Sequence, residues 1–484
     1  MSAAAPGLRV AYLQDNGIDE SLALTEVAGG LAALGADNRL FLTDEEPDLD
    51  AALTKFDPAL VLLPNAVGGR QAAARRAARA RWALPRATLL YLGTEATFDP
   101  SVGLDPHVDG VIVGEAEGPA AEVYAALAAG TDWRGAAGLA SRDREGSLRQ
   151  NPLPPVLTDL DALPWPQRSL YYRYPFIARF PTKKFNTSRG CVHDCSFCWN
   201  PKLRGMVSNP EAFTRRKSVE RAIAEVEAVK AAHPLTHVHF ADDLFTVQPA
   251  WLERFAEAWP CRVGLPFTCS SSIELVSRRS MAALAKAGCK GVAIGVETAN
   301  EQVRERILRK TVSNAEVEEA ARRVKDAGLE LTVYAMIGVP GEGIDDAWNT
   351  LRFLRRLGAD HARVMVALPV PHTDFAEGAA ARGALPAGAQ VEDLSDPSEA
   401  FAIDDARAQR NLYYFFRPLL RRPHLDPLVR PLLDLPWGRS LAPLKAFVAL
   451  EERRIAGIGW VDGLRYWRHT GDPRKRTTNY VTLP

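Results

Sequence analysis

The chain has 484 residues, 47% of them apolar, and carries 59 Lys plus Arg against 59 Asp plus Glu. A length-based prior gives about three domains, and the zero net charge lacks the basic excess that advertises nucleic acid, favouring a small or neutral partner. Residues Met1 to Pro6 show no basic region followed by an apolar run, and no stretch of about eighteen apolar residues occurs, so the reading excludes a membrane span and expects a cytoplasmic protein.

Residues 1–150 alternate short apolar strands with amphipathic helices. Strands are expected at Arg9–Leu13, Asn38–Leu42, Ala59–Leu63, Ala87–Leu92 and Gly110–Val113, with a helix over Leu22–Leu34. Continuous apolar runs between helices predict a buried parallel sheet, here a doubly wound, flavodoxin-like α/β domain. Such sheets take ligands at the carboxyl ends of their strands. Those ends carry Gln14–Gly17, Pro64–Gly68, Gly93–Glu95 and Gly114–Glu117, small polar turns that let a large planar ligand approach the backbone; Asn16, Asn65, Gly93, Gly114 and Glu115 are the candidate contacts. The Ala/Arg-rich run Ala72–Ala83 reads as a solvated helix.

Residues 151–180 shift to Pro, Asp and aromatics, as in Leu160-Asp161-Ala162-Leu163-Pro164-Trp165-Pro166, which suits a linker rather than a helix or a central strand. Residues 181–372 return to alternation. Strands are expected at Lys184–Thr187, Val238–Ala241, Phe267–Ser270, Val292–Val296, Leu331–Ile337 and Val364–Leu368. The helix Val219–Ala232 rests on Val219, Ile223, Val226 and Val229 at helical spacing. Six βα repeats suit a partial, open (βα)6 TIM-like barrel. Residues 373–484 lose the alternation and read as a mostly helical C-terminal domain, with Tyr413–Phe416 and the Trp460–Trp467 stretch as core aromatics.

Three cysteines, Cys191, Cys195 and Cys198, stand in C-x-x-x-C-x-x-C spacing after the first barrel strand, hence at the carboxyl-end face where βα barrels place chemistry. Clustered thiols in a long chain with six cysteines read as metal ligands, and Cys261, Cys269 and Cys289 as small buried residues. An iron-sulfur cube held by three cysteines keeps one iron open to a substrate or cofactor. The alternative is a structural zinc knuckle, which needs a fourth ligand; His193 lies between two of the cysteines.

With Phe197 before the third cysteine, this spacing resembles the signature of radical S-adenosylmethionine (SAM) enzymes. The preceding α/β domain, the Leu160–Pro164 linker and the strand-end motifs Val113–Glu117, Phe240–Phe245, Gly295–Thr298 and Gly338–Glu342 resemble the cobalamin-dependent branch of that family. The resemblance implies that Cys191, Cys195 and Cys198 ligate a [4Fe-4S] cluster, that SAM chelates its open iron, and that cobalamin sits on the first domain. Asp242, Ser271 and Glu297, at ends of adjacent strands, would serve SAM's ammonium or ribose hydroxyls, against a plain helix-capping role. Gly338 and Gly341 would allow approach to its adenine edge. Phe197 and Trp199 would shield the cluster, and Arg189 would place positive charge beside it or lie at the surface. In place of the D-x-H-x-x-G motif of many cobalamin domains the chain has Asp15-Asn16-Gly17-Ile18-Asp19, and its first histidine is His107, which implies cobalt without a protein imidazole.

The implied activity is C-methylation of an unactivated carbon of a small, natural-product type metabolite. One SAM would load methylcobalamin, a second would give a 5′-deoxyadenosyl radical, and a flavodoxin or ferredoxin type donor would supply electrons. Cyclisation or ring rearrangement without methyl transfer uses the same cofactors. A tRNA methylthiotransferase would carry cluster cysteines in its first domain, where this chain has none. A cobalamin or light sensor has no use for a three-cysteine site, and a first domain that binds nothing is the bland reading, since fold alone does not specify a ligand.

Overall fold

The computed structural model describes residues 7–15, 20–66, 69–385 and 405–437. The described residues divide into two compact units, one of residues up to Arg179 together with Leu203–Phe213, the other of Phe180–Lys202 and the described residues from Thr214 onward. Among the described residues no helix is long and apolar enough to cross a membrane.

The first unit is built on strands β1 (Arg9–Gln14), β2 (Asp37–Leu42), β3 (Leu60–Pro64), β4 (Thr88–Leu92), β5 (Gly110–Ile112), β6 (Leu139–Arg142) and β7 (Leu148–Gln150), in the order β2-β1-β3-β4-β5-β6-β7. The first five are parallel and follow the flavodoxin-like order. Helices Leu49–Phe56 and Arg70–Ala83 cover one face, packing Leu49, Leu53, Ala73, Ala77 and Ala80 against Leu13, Phe41, Val61 and Leu63. Helices Leu22–Ala33 and Glu117–Ala129 pack together, and each buries an apolar face.

Three features depart from the expectation. The β6–β7 hairpin adds two antiparallel strands at the edge. The Pro-rich segment after it folds onto the first sheet: Tyr171 donates to Gln14 Oε1 at 2.6 Å, Tyr174 to Glu46 Oε1 at 2.7 Å, and Arg168 pairs with Glu20 at 2.8 Å. Helix Arg70–Ala83 is not a solvated helix, because small alanines let its Ala73–Ala77–Ala80 face lie against the sheet.

The second unit is a six-stranded, wholly parallel sheet of β8 (Thr182–Phe185), β11 (His237–Phe240), β12 (Phe267–Ser271), β13 (Cys289–Glu297), β14 (Glu330–Ile337) and β15 (His361–Val366), ordered β15-β14-β13-β12-β11-β8. A short antiparallel pair, β9 (Ser188–Arg189) and β10 (Arg215–Arg216), flanks it. Six strands alternating with helices make the expected partial barrel. Ser218 caps helix Val219–Ala232, and Ser313 with Glu316 forms a capping box on helix Asn314–Asp326. Phe240 packs against Phe245, Phe255, Trp259 and Phe267, with centroids 4.7 to 5.6 Å apart, so an aromatic cluster fixes β11 and β12 under helix Pro249–Arg262.

Helices Asp374–Ala381 and Ala406–Arg421 follow, the latter packed on helix Ile344–Arg356 and β15. Tyr414 is buried and stacks edge-on with Tyr413. Trp460–Trp467 lie outside the described residues. Of the three cysteines expected in the core, Cys269 and Cys289 are buried, but Cys261 is exposed, because it falls on the outer side of the last turn of its helix.

Phe240→Ala removes the ring at the centre of this cluster. It should lower unfolding stability by about 3–5 kcal/mol, measured by denaturant titration.

Candidate active site

The cysteine loop begins where β8 ends, and a single carboxylate holds that end. Asp242, just past the neighbouring β11, is 3% exposed. It accepts from Thr187 N at 3.0 Å and Thr187 Oγ1 at 2.7 Å, and from the Ser188 hydroxyl. Ser188 pairs with Arg216 across β9–β10, and Arg216 donates to the carbonyls of Leu244 and Phe245, both at 2.8 Å, while lying 4.4 Å over the Trp251 ring. The turn into the cysteines is therefore tied to two strand ends and an aromatic wall.

Downstream, Ser196 donates through its backbone to Leu308 O at 3.0 Å and through Oγ to Ile307 O at 2.6 Å, and Phe375 N donates to Ser196 O. Phe197 packs on the cluster of Val303, Leu308, Met336, Val339 and Phe375, and Trp199 Nε1 donates to Pro371 O at 3.3 Å. The loop is pinned on both sides of Cys195.

Cys191, Cys195 and Cys198 are each partly buried and act on one another electrostatically. Burial pushes the Cys191 thiol up to about 12 and Cys195 up to about 11, and raises Cys198 as well. Asn200 donates to Cys198 Sγ from its backbone at 3.5 Å and from Nδ2 at 3.6 Å, while Nδ2 also reaches Asp243 at 3.1 Å. Such N–H donors favour the thiolate over the thiol. Among the described residues no three His, Cys, Asp or Glu side chains gather around one point as a single-ion site would require.

The other expected SAM contacts occupy strand ends beside this loop. Glu297 closes β13 at a β-bulge with φ 67°, an uncommon conformation for a non-glycine residue. Its carboxylate, 9% exposed, pairs with Lys310 at 3.2 Å, and both charges act on Cys195. Ser271 is engaged with Thr246 Oγ1 at 2.6 Å and Ser272 O at 3.1 Å. Ser272, one residue on and also buried, has a hydroxyl without a hydrogen-bond partner among the described residues. Gly338 and Gly341 take φ of 76° and 97°, and a side chain at Gly341 would meet no atom within 4 Å. Glu342 follows, 3% exposed, accepting from the Thr298 hydroxyl through Oε1 while Oε2 has no partner. Burial raises this carboxyl to about 7.

In the first unit, Asn65 lies at the carboxyl end of β3, 1% exposed, and neither its side-chain oxygen nor its nitrogen is hydrogen-bonded among the described residues. A buried amide with both ends unpaired can take a partner that both donates and accepts, whether water or ligand. Gly93 stands against it with φ 112°, and a Cβ there would come within 2.9 Å of Asn65 O. Thr97 Oγ1 donates to Gly93 O at 2.8 Å and accepts from Gly114 N at 3.1 Å, joining two of the expected strand-end turns. Glu115 is half-buried beside Gly114, and Asn16 lies outside the described residues. Arg76, from helix Arg70–Ala83, donates to Pro64 O at 2.7 Å and pairs with Asp15, which orders the β1 and β3 ends. His107 is taken by Asp105 at 2.8 Å.

Sequence reasoning missed Asn200, Ser272 and Arg216, and gave Glu342 only as the last residue of the Gly338–Glu342 motif, without a role. Asn200 and Ser272 each adjoin a residue it did single out, so adjacency was the available signal. Arg216 becomes legible only through the β9–β10 pairing, which two-residue strands do not announce.

Comparison with known proteins agrees with this geometry. The radical SAM superfamily is matched over residues 185–354. An uncharacterized methyltransferase of Pyrococcus horikoshii is 26% identical over 345 residues, covering 70% of this chain and 73% of the relative. Among solved structures, the radical SAM methyltransferase TsrM from Kitasatospora setae, with cobalamin and [4Fe-4S] cluster bound, superposes with a TM-score of 0.65 at 16% identity, over 78% of this chain and 75% of that one. The cobalamin-dependent enzyme OxsB, with aqua-cobalamin and SAM bound, gives a TM-score of 0.61 at 16% identity over 77% of this chain and 54% of that chain. At these identities the structures establish a shared fold. Residues 185–354 form a radical SAM domain, and the chain is an enzyme of that class.

Two outcomes follow. Asp242→Ala leaves three donors of Thr187 and Ser188 without an acceptor and should cost about 1–3 kcal/mol in denaturant unfolding, with less iron retained per chain after reconstitution; Asp242→Asn, which keeps one acceptor oxygen, should be milder. Glu342, whose carboxyl is raised to about 7, contributes stability that is complete below about pH 4 and lost as pH rises through about 7. Urea unfolding at acidic and alkaline pH should show a wild-type decline of about 3 kcal/mol that Glu342→Gln removes.

Proposed function

We propose that the chain is a cobalamin-dependent radical SAM C-methyltransferase acting on an unactivated carbon of a small metabolite. The observation that carries this is the pairing of a three-thiol loop at the mouth of one α/β unit with a vacant, buried amide at the ligand edge of the other. When bound, the cluster would supply the electron that cleaves SAM to a 5′-deoxyadenosyl radical, and cobalamin would relay the methyl group of a second SAM.

The donor sets fit those groups. Cys191, Cys195 and Cys198 would hold the cluster, with Asn200 donating to the Cys198 sulfur and Phe197 excluding water from its flank. SAM would find the vacant Ser272 hydroxyl, the Glu297 carboxylate and the open backbone at Gly338 and Gly341. Asp242 would act on SAM only through the loop it positions, since Thr187 and Ser188 occupy it. Asn65 suits the amide-rich rim of a corrinoid, with Gly93 beside it and Gly114 joined to Gly93 through Thr97, and Glu115 following Gly114 would be a further contact. A small-molecule substrate agrees with the tryptophan substrate bound in another structure of TsrM from Kitasatospora setae, and the electrons would come from a flavodoxin or ferredoxin type donor.

Anaerobic reconstitution with iron, sulfide, hydroxocobalamin and SAM, followed by mass analysis, tests this. The expected products are 5′-deoxyadenosine together with S-adenosylhomocysteine. Deoxyadenosine without S-adenosylhomocysteine would point to cyclisation or rearrangement, and neither product would contradict the proposal. Alanine at any of the three cysteines should abolish deoxyadenosine, whereas Asn65→Leu should lower corrinoid retention at least about tenfold with cluster absorbance unchanged.

A further inference from the structure

Residues 307–313, between helices Glu301–Arg306 and Asn314–Asp326, make neither helix nor strand, yet they supply three contacts to the site. Leu308 O accepts from the Ser196 backbone at 3.0 Å, and Ile307 O from the Ser196 hydroxyl at 2.6 Å. Leu308, 0% exposed, belongs to the apolar cluster that receives Phe197. Lys310 pairs with Glu297 at 3.2 Å and also donates to Gly295 O, lying so close over that residue that a Cβ there would come within 2.8 Å of its Nζ. A segment without a regular ladder must have its backbone groups fixed by other means.

Arg304 provides them. Its side chain is 0% exposed, and its fork spends three donors on three different stretches of chain. Nε donates to Val312 O at 2.9 Å, Nη1 to Thr298 O at 2.6 Å and Nη2 to Asn314 Oδ1 at 2.8 Å. Its own carbonyl accepts from Lys310 N at 2.9 Å. Thr298 directly follows Glu297 at the end of β13, while Val312 and Asn314 close the irregular segment, so one guanidinium ties the two together. Asn314 doubles the tie by donating to Ala299 O at 2.9 Å. The ion pair of Arg304 with Glu301 is long, 3.8 Å, and Glu301 is half exposed. A guanidinium taken out of water without a close carboxylate costs stability that an apolar residue would not. What it supplies instead is a set of charge-assisted bonds in a fixed planar geometry, which define position.

We infer that Arg304 is a positioning residue for the cysteine loop. It fixes residues 307–313 against the end of β13, and through Ile307 and Leu308 it sets where Ser196 stands, with Cys195 before it and Cys198 two residues on. Lys310 rides on the same segment, so the Glu297 carboxylate and the thiol loop share one brace. Calling that loop a cluster site rests on the function proposed above, whereas the brace rests on the protein's own hydrogen bonds.

Hydrogen–deuterium exchange of the cluster-free, full-length chain tests this, because the Ser196 amide is itself the donor to Leu308 O. In Arg304→Met, residues 194–199 should exchange at least about fivefold faster, while β11 keeps its wild-type rate. Arg304→Lys keeps the charge but not the fork and should behave like Arg304→Met. Asn314→Ala, which removes one acceptor, should give a smaller rise over the same residues and decides the matter if Arg304→Met does not fold. Arg355→Met breaks a clamp on Leu419 O and Asp426 in helix Ile344–Arg356, and should not speed residues 194–199 relative to β11. After reconstitution with iron and sulfide, Arg304→Met should lose iron to ferrozine at least about fivefold faster than wild type. Exchange over 194–199 that is unchanged or rises only in step with β11, full rescue by Arg304→Lys, or iron loss at the wild-type rate would overturn the inference. Because exchange is read without cluster or SAM, a wild-type chain that takes up no cluster would strike the proposed function alone.

Discussion

The site depends on one buried carboxylate. Asp242 gathers the backbone and hydroxyl of Thr187 and the hydroxyl of Ser188, and so converts the frayed end of β8 into a fixed turn. A loop that must present three thiols cannot rely on regular hydrogen bonding, because the backbone from Gly190 to Cys195 makes neither helix nor strand. Its position is set from its edges instead: by Asp242 and Arg216 before the first cysteine, and by Ser196 and Phe197 after the second. Charge-assisted hydrogen bonds in a dry setting are the strong kind, which is why one residue can bear this load.

Much of the architecture is legible from pattern alone. The period of apolar runs marks both parallel sheets, and the strands and helices of the barrel fall within a few residues of their expected limits, helix Val219–Ala232 among them. What escaped was decided by contacts distant in sequence. Leu148–Gln150 is too short and polar to announce a strand, and exists because β6 offers an edge. The Pro-rich stretch carries Tyr171 and Tyr174, whose hydroxyls find partners more than a hundred residues away. Arg76 looks solvated in an Ala/Arg-rich run, yet its guanidinium is drawn inward by Asp15.

At the site the division is similar. Spacing singles out Cys191, Cys195 and Cys198 as candidate ligands, because ligand geometry is local. Strand-end position singles out Asp242 and Glu297, but not what each side chain touches. Asp242 points back into the fold, while Glu297 adopts a strained backbone to meet Lys310 beside Cys195. Strain of that kind persists where the surroundings over-determine it, and here it brings a compensated charge pair to the thiols. That the side chains of Asn65 and Ser272 are unpaired among the described residues is invisible to sequence, since such a group is defined by its surroundings in the fold.

The central claim is that the three thiols leave one metal corner open for SAM. Mössbauer spectroscopy of the anaerobically reconstituted chain, loaded with isotopically enriched iron and recorded with and without SAM, tests it most directly. The account predicts a [4Fe-4S] spectrum in which SAM shifts one iron of the four and leaves the others in place. A spectrum indifferent to SAM, or a chain that takes up a single zinc ion in place of the cluster, would contradict it.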